Sequence, residues 1–332
     1  MRRREILVLP IAALAACSRR RDDREVRVLA MPYLFMSPLY LAHENGYFDQ
    51  EGLQVQIESN TSSSTSIPLL AGGKADAAFY SINPAFINAV ARGARVRIVA
   101  GRQFNAPECA PDRRLLGSRA AFPEGFTDFR QLKGKRLGIA QHASPIAFNM
   151  DACLKAGGLT RGDIRIVLVR ENEGAAMLLS GTLDVLISTS EEVHLTRLRD
   201  SVVLGPSVVD ALPGYMYSYI VFGQRFLDRD FAGGVGFLRA FLRGARDFAD
   251  GKNPRVLLDF VDKNGLDPET PNRLCRYTVA RDGRIPLPDI QRFLDWCILH
   301  KHCPESVKAA DLVDTRFVQR SGAASPDATK PL

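Results

Sequence analysis

Serine and asparagine side chains stand before proline at three places where a predicted strand is followed by a predicted helix. These pairs are Ser37-Pro38, Asn83-Pro84 and Ser144-Pro145. Such a residue caps the helix through its side-chain oxygen, and proline fits the first helical turn. A fourth loop, residues 60–66, places a run of hydroxyl groups that includes Ser62 and Ser63 before another helix. Helix N-termini present unpaired N–H groups and a partial positive charge, so these loops are suited to binding a small polar solute.

Each of these residues can also be explained as a helix cap alone. Their number favours a binding cleft, because loops that follow parallel strands lie together at the carboxyl edge of a sheet. Further candidates lie in loops of the same kind: Tyr33, Tyr80, His142, Arg170, Ser190 and Glu191. The aromatic rings would stack on a planar ligand unless they belong to the core. Glu191 favours a neutral or amine-bearing ligand such as an aminopyrimidine, unless it serves only as a first-turn acid of the next helix.

A repeated pattern of strands and helices positions these loops. The first unit has predicted strands at 26–31, 53–58 and 75–80, separated by a helix at 37–46 and a helix that ends near 71. The second has predicted strands at 136–140, 164–169 and 183–188, separated by a helix at 145–156 and a helix that ends near 180. In both units a short helix stops at glycine and a buried strand then begins at aspartate, Asp76 in the first and Asp184 in the second. Two units of one design predict two α/β lobes rather than one large sheet.

The rest of the chain connects and covers these units. Residues 104–129 lack clear periodicity and predict a crossover with an irregular surface loop. Residues 217–222 predict a second hinge strand. Apolar residues at three- and four-residue spacing predict helices at 237–248, 255–263 and 289–299.

The stretch SPLYLAHENGYFDQEGLQVQI, residues 37–57, resembles the opening of the solute-binding proteins of ABC importers in the NMT1/THI5-like family. This family serves nitrate, sulfonates, taurine and thiamine precursors. Residues 69–93, 132–139 and 282–318 are similar to other parts of the same family. The resemblance implies a type II periplasmic binding protein, with two α/β lobes joined by a two-stranded hinge. We expect residues 26–104 and 219–332 to form lobe 1, and residues 105–218 to form lobe 2.

The resemblance also implies a function. Such a protein closes on a small-molecule solute and delivers it to an ABC permease; we expect a monomer that needs no cofactor and is not an enzyme. The alternative is an enzyme on the same fold, since the pyrimidine synthase of thiamine biosynthesis resembles these binding proteins. That enzyme uses a cysteine-rich motif, a histidine and a lysine that holds pyridoxal phosphate, and no cysteine cluster occurs near the cleft loops here. Neither G-x-S-x-G nor H-E-x-x-H occurs.

The N-terminus has the pattern of an export signal. Three arginines precede an apolar run from Ile6 to Ala16, which is shorter than the roughly 20 residues that span a bilayer. Leu14 to Cys17 resembles a bacterial lipobox, in which Cys17 is lipidated, although a plain signal peptide is the alternative. We therefore predict a signal peptide and lipobox at 1–17 and a charged tether at 18–25. The protein would be periplasmic or at the cell surface, held to a bacterial membrane by its lipid.

Charge and cysteine content bear on three further possibilities: nucleic-acid binding, a disulfide framework and a metal site. The first 24 residues carry +4 of the net charge of +7, and no dense basic stripe follows them, which argues against nucleic acid as a partner. Five cysteines besides Cys17, without a close C-x-x-C pair, do not suggest a disulfide framework. The cluster Cys297, His300, His302 and Cys303 could bind a metal, but adjacent His302 and Cys303 would point apart. A local disulfide between Cys297 and Cys303 is favoured over a metal site.

Overall fold

The computed structural model describes residues 24–30, 36–60, 63–170, 173–187, 202–263, 265, 267–273 and 275–322. The side chains of Ser63, Ser64 and Asp112 are outside this description. The predicted signal peptide and lipobox at 1–17, and all but the end of the 18–25 tether, therefore lie outside the described residues.

The strands of the described chain alternate with helices through its first two thirds. The strands are β1 Glu25–Ala30, β2 Gln54–Ser59, β3 Ala77–Tyr80, β4 Arg97–Phe104, β5 Arg114–Ser118, β6 Arg136–Ile139, β7 Arg165–Leu168, β8 Val185–Ile187, β9 Val202–Ser207 and β10 Met216–Phe222. The helices are α1 Ser37–Glu44, α2 Tyr47–Gln50, α3 Ser63–Ala71, α4 Pro84–Ala91, α5 Pro145–Ala156, α6 Gly174–Leu179, α7 Val208–Ala211, α8 Gln224–Asp228, α9 Phe231–Ala249, α10 Arg255–Lys263, α11 Thr270–Arg273, α12 Leu287–Leu299 and α13 Arg316–Arg320. Short 3₁₀ turns lie at Pro107–Asp112, Phe129–Leu132, Arg161–Asp163, Arg276–Thr278 and Ala309–Leu312.

These strands form two five-stranded sheets of matching design. The first has the order β2-β1-β3-β10-β4, and the second has the order β7-β6-β8-β5-β9. In each sheet three strands from one α/β unit are parallel, and a strand from elsewhere runs antiparallel beside them. The prediction of two α/β lobes is confirmed.

The repeated aspartates perform the same task in both lobes. Asp76 Oδ2 accepts a hydrogen bond from the backbone N–H of Arg27 in β1 (2.8 Å). Asp184 Oδ2 accepts one from the backbone N–H of Arg136 in β6 (2.8 Å). Each aspartate thus satisfies a donor at the amino edge of its sheet, away from the strand ends where solutes bind in such folds.

The chain crosses between the sheets twice, after β4 and before β10, and the two crossing segments are bonded to each other. The Asn105 N–H donates to the Tyr215 carbonyl (2.9 Å), and the Gly214 N–H donates to the Asn105 carbonyl (2.9 Å). The Asn105 side-chain amide donates to the Leu212 carbonyl (2.8 Å). This pairing is the two-stranded hinge that the resemblance implied.

The hinge turns the carboxyl edges of the two sheets toward each other. In the first sheet Tyr80, at the end of β3, pairs with Tyr219 near the start of β10. In the second sheet Ile187, at the end of β8, pairs with Leu115 near the start of β5. The chain runs from the first crossing segment directly into β5, and from the second crossing segment directly into β10. The carboxyl edges of both sheets therefore adjoin the crossing segments. The loops after the parallel strands therefore lie between the lobes.

Residues 104–129, expected to carry a crossover and an irregular surface loop, carry the crossover and also contain a strand of the second sheet. Strand β5 pairs with β8 on one side and β9 on the other. Four of its five residues are buried, so it lacks the alternation of a half-buried strand. The prediction missed this strand because an interior strand shows no period of two.

Helix α9 is the long core helix of the first lobe and fixes the start of α1. Gly244 lies against this start, and a Cβ at that position would come within 2.2 Å of the Pro38 carbonyl oxygen. Phe237 and Phe241 of the same helix pack on Phe48 and Phe79 at ring distances of 5.0 and 5.2 Å. The close approach of α9 holds α1 at the edge between the lobes.

A disulfide joins Cys109, in the first crossing segment, to Cys275 in the C-terminal helical region, across 166 residues of sequence. The sequence did not indicate this pairing, because two distant cysteines carry no local signal. The local bond expected between Cys297 and Cys303 is absent from this structure, which leaves both as free thiols. Cys153 is buried and free, consistent with a core position.

Candidate functional site

Helix α1 begins at the edge between the lobes without a cap from its N-cap side chain. Met36 occupies the N-cap position, and Ser37 and Pro38 are the first two helical residues. The expectation that Ser37 caps the helix is therefore wrong by one position. Ser37 is only 1% exposed. The first turn of α1 keeps backbone donors that the Met36 side chain does not satisfy, which is a favourable setting for an anion.

The structure confirms the other two predicted helix caps, Asn83 and Ser144. Asn83 Oδ1 accepts from the Phe86 N–H at the start of α4 (3.0 Å). Ser144 Oγ accepts from the Ala147 N–H at the start of α5 (3.2 Å) and donates to the Gln141 carbonyl (2.8 Å). The helix-cap explanation accounts for both side chains, and contact between either and a ligand stays a prediction.

Three further candidates lie at the edge between the lobes but differ in exposure. Tyr80 is buried against Phe86, and burial raises the pKa of its phenol, whose hydroxyl has no hydrogen-bond partner among the described residues. Burial favours the core explanation for this ring, and its contact with a ligand stays a prediction. His142 is exposed after β6, and Arg170 is 84% exposed after β7, with Glu173 3.6 Å away. The structure thus brings Ser37, Tyr80, Asn83, His142 and Ser144 to the facing edges, and leaves Arg170 pointing into solvent.

Other predicted residues fall outside the description. Ser63 begins α3, but its side chain is not described, and the remaining candidates lie in the undescribed segments: Cys17, Tyr33, Ser62, Ser190 and Glu191.

Two arginines that the sequence did not single out lie at the hinge and each interacts with Tyr217. We call them the hinge arginine pair: Arg102 in β4 and Arg113 at the entry to β5. Arg102 is 4% exposed; it donates to Ser218 Oγ from Nε (3.0 Å) and Nη2 (2.5 Å), and to Met36 Sδ from Nη1 (3.5 Å). Burial lowers the pKa of Arg102 to about 10, an effect that Tyr217 partly opposes. The side chain therefore stays a cation at neutral pH, beside the start of α1.

Arg113 approaches the same place from the second lobe. Its guanidinium carbon lies 4.0 Å from the centre of the Tyr217 ring, in cation–π contact. Its Nε is buried and has no hydrogen-bond partner among the described residues. A buried donor without a partner costs free energy, so an acceptor that reached it would bind favourably. The hinge arginine pair thus concentrates positive charge around Tyr217, where the lobes meet.

A second contact between the lobes lies at Asp151, which we call the Asp151 clasp. Asp151 in α5 is held by two hydrogen bonds from Arg161, both 2.7 Å. It accepts a further bond from Trp296 Nε1 in α12 (2.7 Å), and His300 Nε2 lies 3.3 Å from it. Helix α12 is tied to the first lobe because Asp289 accepts from the Met216 N–H of β10 (2.8 Å). The clasp therefore joins α5 of the second lobe to a helix anchored on the first.

Stability should fall on mild acidification because of His300 in this clasp. Burial lowers the pKa of His300 most, Arg161 and His302 lower it further, and Asp151 partly opposes them. A folded-state pKa below the unfolded value of about 6.5 means that the unfolded chain binds more protons in that range. The free energy of unfolding should therefore decrease as pH falls through about 6.5 toward the folded pKa. We expect His300→Gln to lose this part of the dependence in denaturant titrations from pH 7.5 to about 5; an unchanged dependence would contradict the assignment.

The described residues offer neither a metal site nor a membrane-spanning helix. Among them no group of three or more His, Cys, Asp or Glu side chains could hold a metal ion. No helix in the described part of the chain is long and apolar enough to cross a membrane.

The fold and the site can now be compared with known proteins. The sequence pattern of the family described as NMT1/THI5 like matches residues 35–251. The chain belongs to the NMT1/THI5-like family. Among solved structures, the periplasmic aliphatic sulphonate-binding protein of Escherichia coli superposes with a TM-score of 0.69, at 15% identity over 89% of this chain and 93% of that one. The periplasmic nitrate-binding protein of Synechocystis PCC 6803 gives a TM-score of 0.66, at 14% identity over 90% and 87%. These likenesses establish the fold of periplasmic binding proteins.

A curated protein that is similar to this chain is named as an enzyme. A 4-amino-5-hydroxymethyl-2-methylpyrimidine phosphate synthase from Schizosaccharomyces pombe is 30% identical over 172 residues, which are 51% of this chain and 45% of that protein. The chain spans about half the length of the curated relatives it matches. Binding proteins and an enzyme thus both stand among the proteins similar to this chain.

Proposed function

We propose that this protein is an extracytoplasmic solute-binding protein that captures a small organic anion between its lobes and delivers it to the permease of an ABC importer. Its family and its fold support the solute-binding role. The hinge, at which Asn105 pairs with Tyr215 and Gly214, supports closure by rotation of one lobe against the other. The protein would act as a monomer and without a cofactor.

The hinge arginine pair is the observation that supports an anionic ligand. An anion that reached the buried guanidinium of Arg102 would accept charge-assisted hydrogen bonds from it. The start of α1 lies beside it, since Arg102 Nη1 donates to Met36 Sδ, and the positive end of a helix favours an anion. Planar guanidinium groups bind sulfonate, carboxylate and phosphate oxygens through paired hydrogen bonds. The expectation of an amine-bearing ligand depended on Glu191, which lies outside the described residues.

Export and lipid anchoring are part of the same proposal. The Cys109–Cys275 disulfide supports an oxidising compartment, where such bonds persist. The apolar run that ends at Cys17 supports export and lipidation there. Lipidation would keep the protein near the membrane and raise its effective concentration at the permease.

The residues fit the enzyme alternative less well. A synthase of the kind that the resemblance implied would need a lysine at the cleft to hold pyridoxal phosphate. Lys74 precedes β3, and Lys133 and Lys135 precede β6, so these lysines lie at the amino edges of the sheets. Cys109, in the first crossing segment, is also committed, since it is in the disulfide. We therefore propose a binding protein without turnover.

A thermal-shift panel on the purified protein without residues 1–17 tests this proposal. The panel contains taurine, an alkanesulfonate, nitrate and 4-amino-5-hydroxymethyl-2-methylpyrimidine. A ligand at 100 times its Kd should stabilise the protein by about 2.7 kcal/mol, a shift of several degrees. We expect a saturable shift from at least one organic anion and none from the neutral pyrimidine. A shift from the pyrimidine alone would contradict the anionic class.

A further inference from the structure

The amino edge of the first sheet lies opposite the edge that faces the second lobe, and its loops carry exposed basic side chains. Lys74 precedes β3, Arg92 precedes β4, and Arg229 follows α8, which comes after the end of β10. All three side chains are exposed, and none forms an ion pair with another described residue. This edge therefore carries positive charge that no ion pair within the described chain neutralises.

A groove between α9 and α13 opens beside these loops. It has a volume of about 720 Å³, and its lining includes the apolar Phe231 and Val235 of α9 and the basic Arg316 and Arg320 of α13. No acidic side chain of the described chain lines it. Apolar surface next to guanidinium groups is suited to the boundary between lipid headgroups and acyl chains.

Aromatic contacts place this groove at the amino edge. Phe222 is the last residue of β10, so it lies at that edge, and the ring of Phe317 in α13 packs on it at 5.1 Å. The ring of Phe231, which is 36% exposed, lies 4.6 Å from the Phe317 ring and 5.5 Å from the Arg316 guanidinium. The groove and the basic loops therefore belong to one surface. We call it the basic face: Lys74, Arg92, Arg229, Phe231, Arg316 and Arg320.

Acidic side chains offset only part of this charge. Asp314 pairs with Arg316 at 2.6 Å and neutralises that arginine. Two exposed acids near this edge, Asp49 and Asp311, form no ion pair among the described residues. The other four basic side chains of the basic face are likewise unpaired, so positive charge remains in excess. An anionic surface is the partner that such an excess attracts.

The chain enters the first lobe at this same edge. The Arg225 guanidinium of α8 donates to the carbonyl of Glu25, the first residue of β1. Seven residues lead from Cys17 to Arg24, and an extended chain of that length spans at most about 25 Å. A lipid on Cys17 would therefore keep the amino edge within about 25 Å of the bilayer.

We propose that the basic face docks on the anionic lipid surface of the membrane that holds the protein. This inference rests on the lipid anchor of the proposed function, which supplies the membrane. The contact is weak and reversible, since attraction between a few exposed cations and anionic lipid is screened at physiological ionic strength. Because the amino edge is turned away from the second lobe, the cleft stays clear of lipid while the protein rests on this face.

Binding to vesicles tests the proposal without a solute or a lipid anchor. The protein without residues 1–17 is floated with vesicles of phosphatidylcholine alone or mixed equally with phosphatidylglycerol. It should bind only the mixed vesicles, and about 0.5 M salt should release it, because salt screens contacts between exposed charges. Amide hydrogen exchange with vesicles present should slow at the start of α9 and in α13.

The triple variant Arg92→Gln/Arg229→Gln/Arg320→Gln removes unpaired charge from the basic face. It should bind the mixed vesicles at least roughly tenfold more weakly, since each surface cation adds to the attraction to anionic lipid. Phe231→Ala should weaken binding but leave its salt dependence unchanged, because salt does not screen an apolar contact. Circular dichroism checks that these variants are folded.

The matched control is Lys133→Gln/Lys155→Gln/Arg165→Gln, which removes the same charge from exposed positions on the second lobe. It should bind as the wild type does, and the tether arginines are present in every variant. Equal binding to phosphatidylcholine alone, a triple variant that binds like the wild type or like this control, or slowed exchange confined to the second lobe would overturn the proposal. Failure of lipidation at Cys17 or of the thermal-shift panel would leave the vesicle result unchanged, so the two failures are distinguishable.

Discussion

Arg102→Met should strongly weaken solute binding while the unliganded protein stays folded. Removing one partner of a buried charged pair costs about 2–5 kcal/mol of binding free energy, so the affinity should fall by roughly 30-fold or more. The unliganded protein should stay folded and melt slightly below the wild type, because the buried Ser218 hydroxyl loses its partner while a buried charge is removed. Titration calorimetry measures the affinity, and circular dichroism measures the melting temperature.

A matched variant separates this effect from a general loss of positive charge. Arg320→Met removes the same charge from an exposed position at the end of α13, and it should bind as the wild type does. Arg113→Met should also weaken binding, since its Nε is the buried donor on the other side of Tyr217. If Arg102→Met binds with unchanged affinity, the ligand does not meet the hinge arginine pair.

Breaking the Cys109–Cys275 disulfide should lower stability by several kcal/mol. The bond closes a loop of 166 residues, and a loop of that length is worth about 4–5 kcal/mol through the unfolded chain, although measured values are often smaller. At about 2–4 °C per kcal/mol, the double variant Cys109→Ser/Cys275→Ser should melt roughly 5 °C or more below the wild type.

The control for this variant is chemical reduction. Dithiothreitol should lower the melting temperature of the wild type by a similar amount and leave the double variant unchanged, since its other described cysteines are already free thiols. A double variant that melts with the wild type would show that the bond contributes little to the folded protein.

The sequence predicted the elements whose local signals are strong. Helix α5 begins after a Ser-Pro cap, and its predicted bounds, 145–156, match the structure. The aspartates that mark the repeat have the same backbone role in both lobes. Helix α9 begins six residues earlier than predicted, because Gly233, Gly234 and Gly236 weaken the helical pattern in its first turns. A Cβ at Gly234 would come within 2.6 Å of the Phe317 ring, so close packing requires glycine there.

The sequence could not identify the site because its decisive residues carry no local pattern. Arg102 lies in β4, a mostly buried strand in which nothing local marks it, and only the fold places it beside Ser218 and Met36. The Ser-Pro pair predicts Ser37 at the N-cap position of α1. In the structure the helix begins one residue earlier, so Met36 holds the N-cap position and Ser37 is the first helical residue. Cys109 and Cys275 are 166 residues apart, a pairing that spacing alone cannot indicate.

Titration calorimetry with the strongest anion from the thermal-shift panel, followed by mass spectrometry of the recovered ligand, tests the central claim most directly. We predict binding of one anion per protein molecule, with affinity that falls in Arg102→Met, and recovery of the ligand chemically unchanged. Failure of every organic anion to bind, or recovery of a converted product, would contradict the claim that this protein is a binding protein for a small anionic solute.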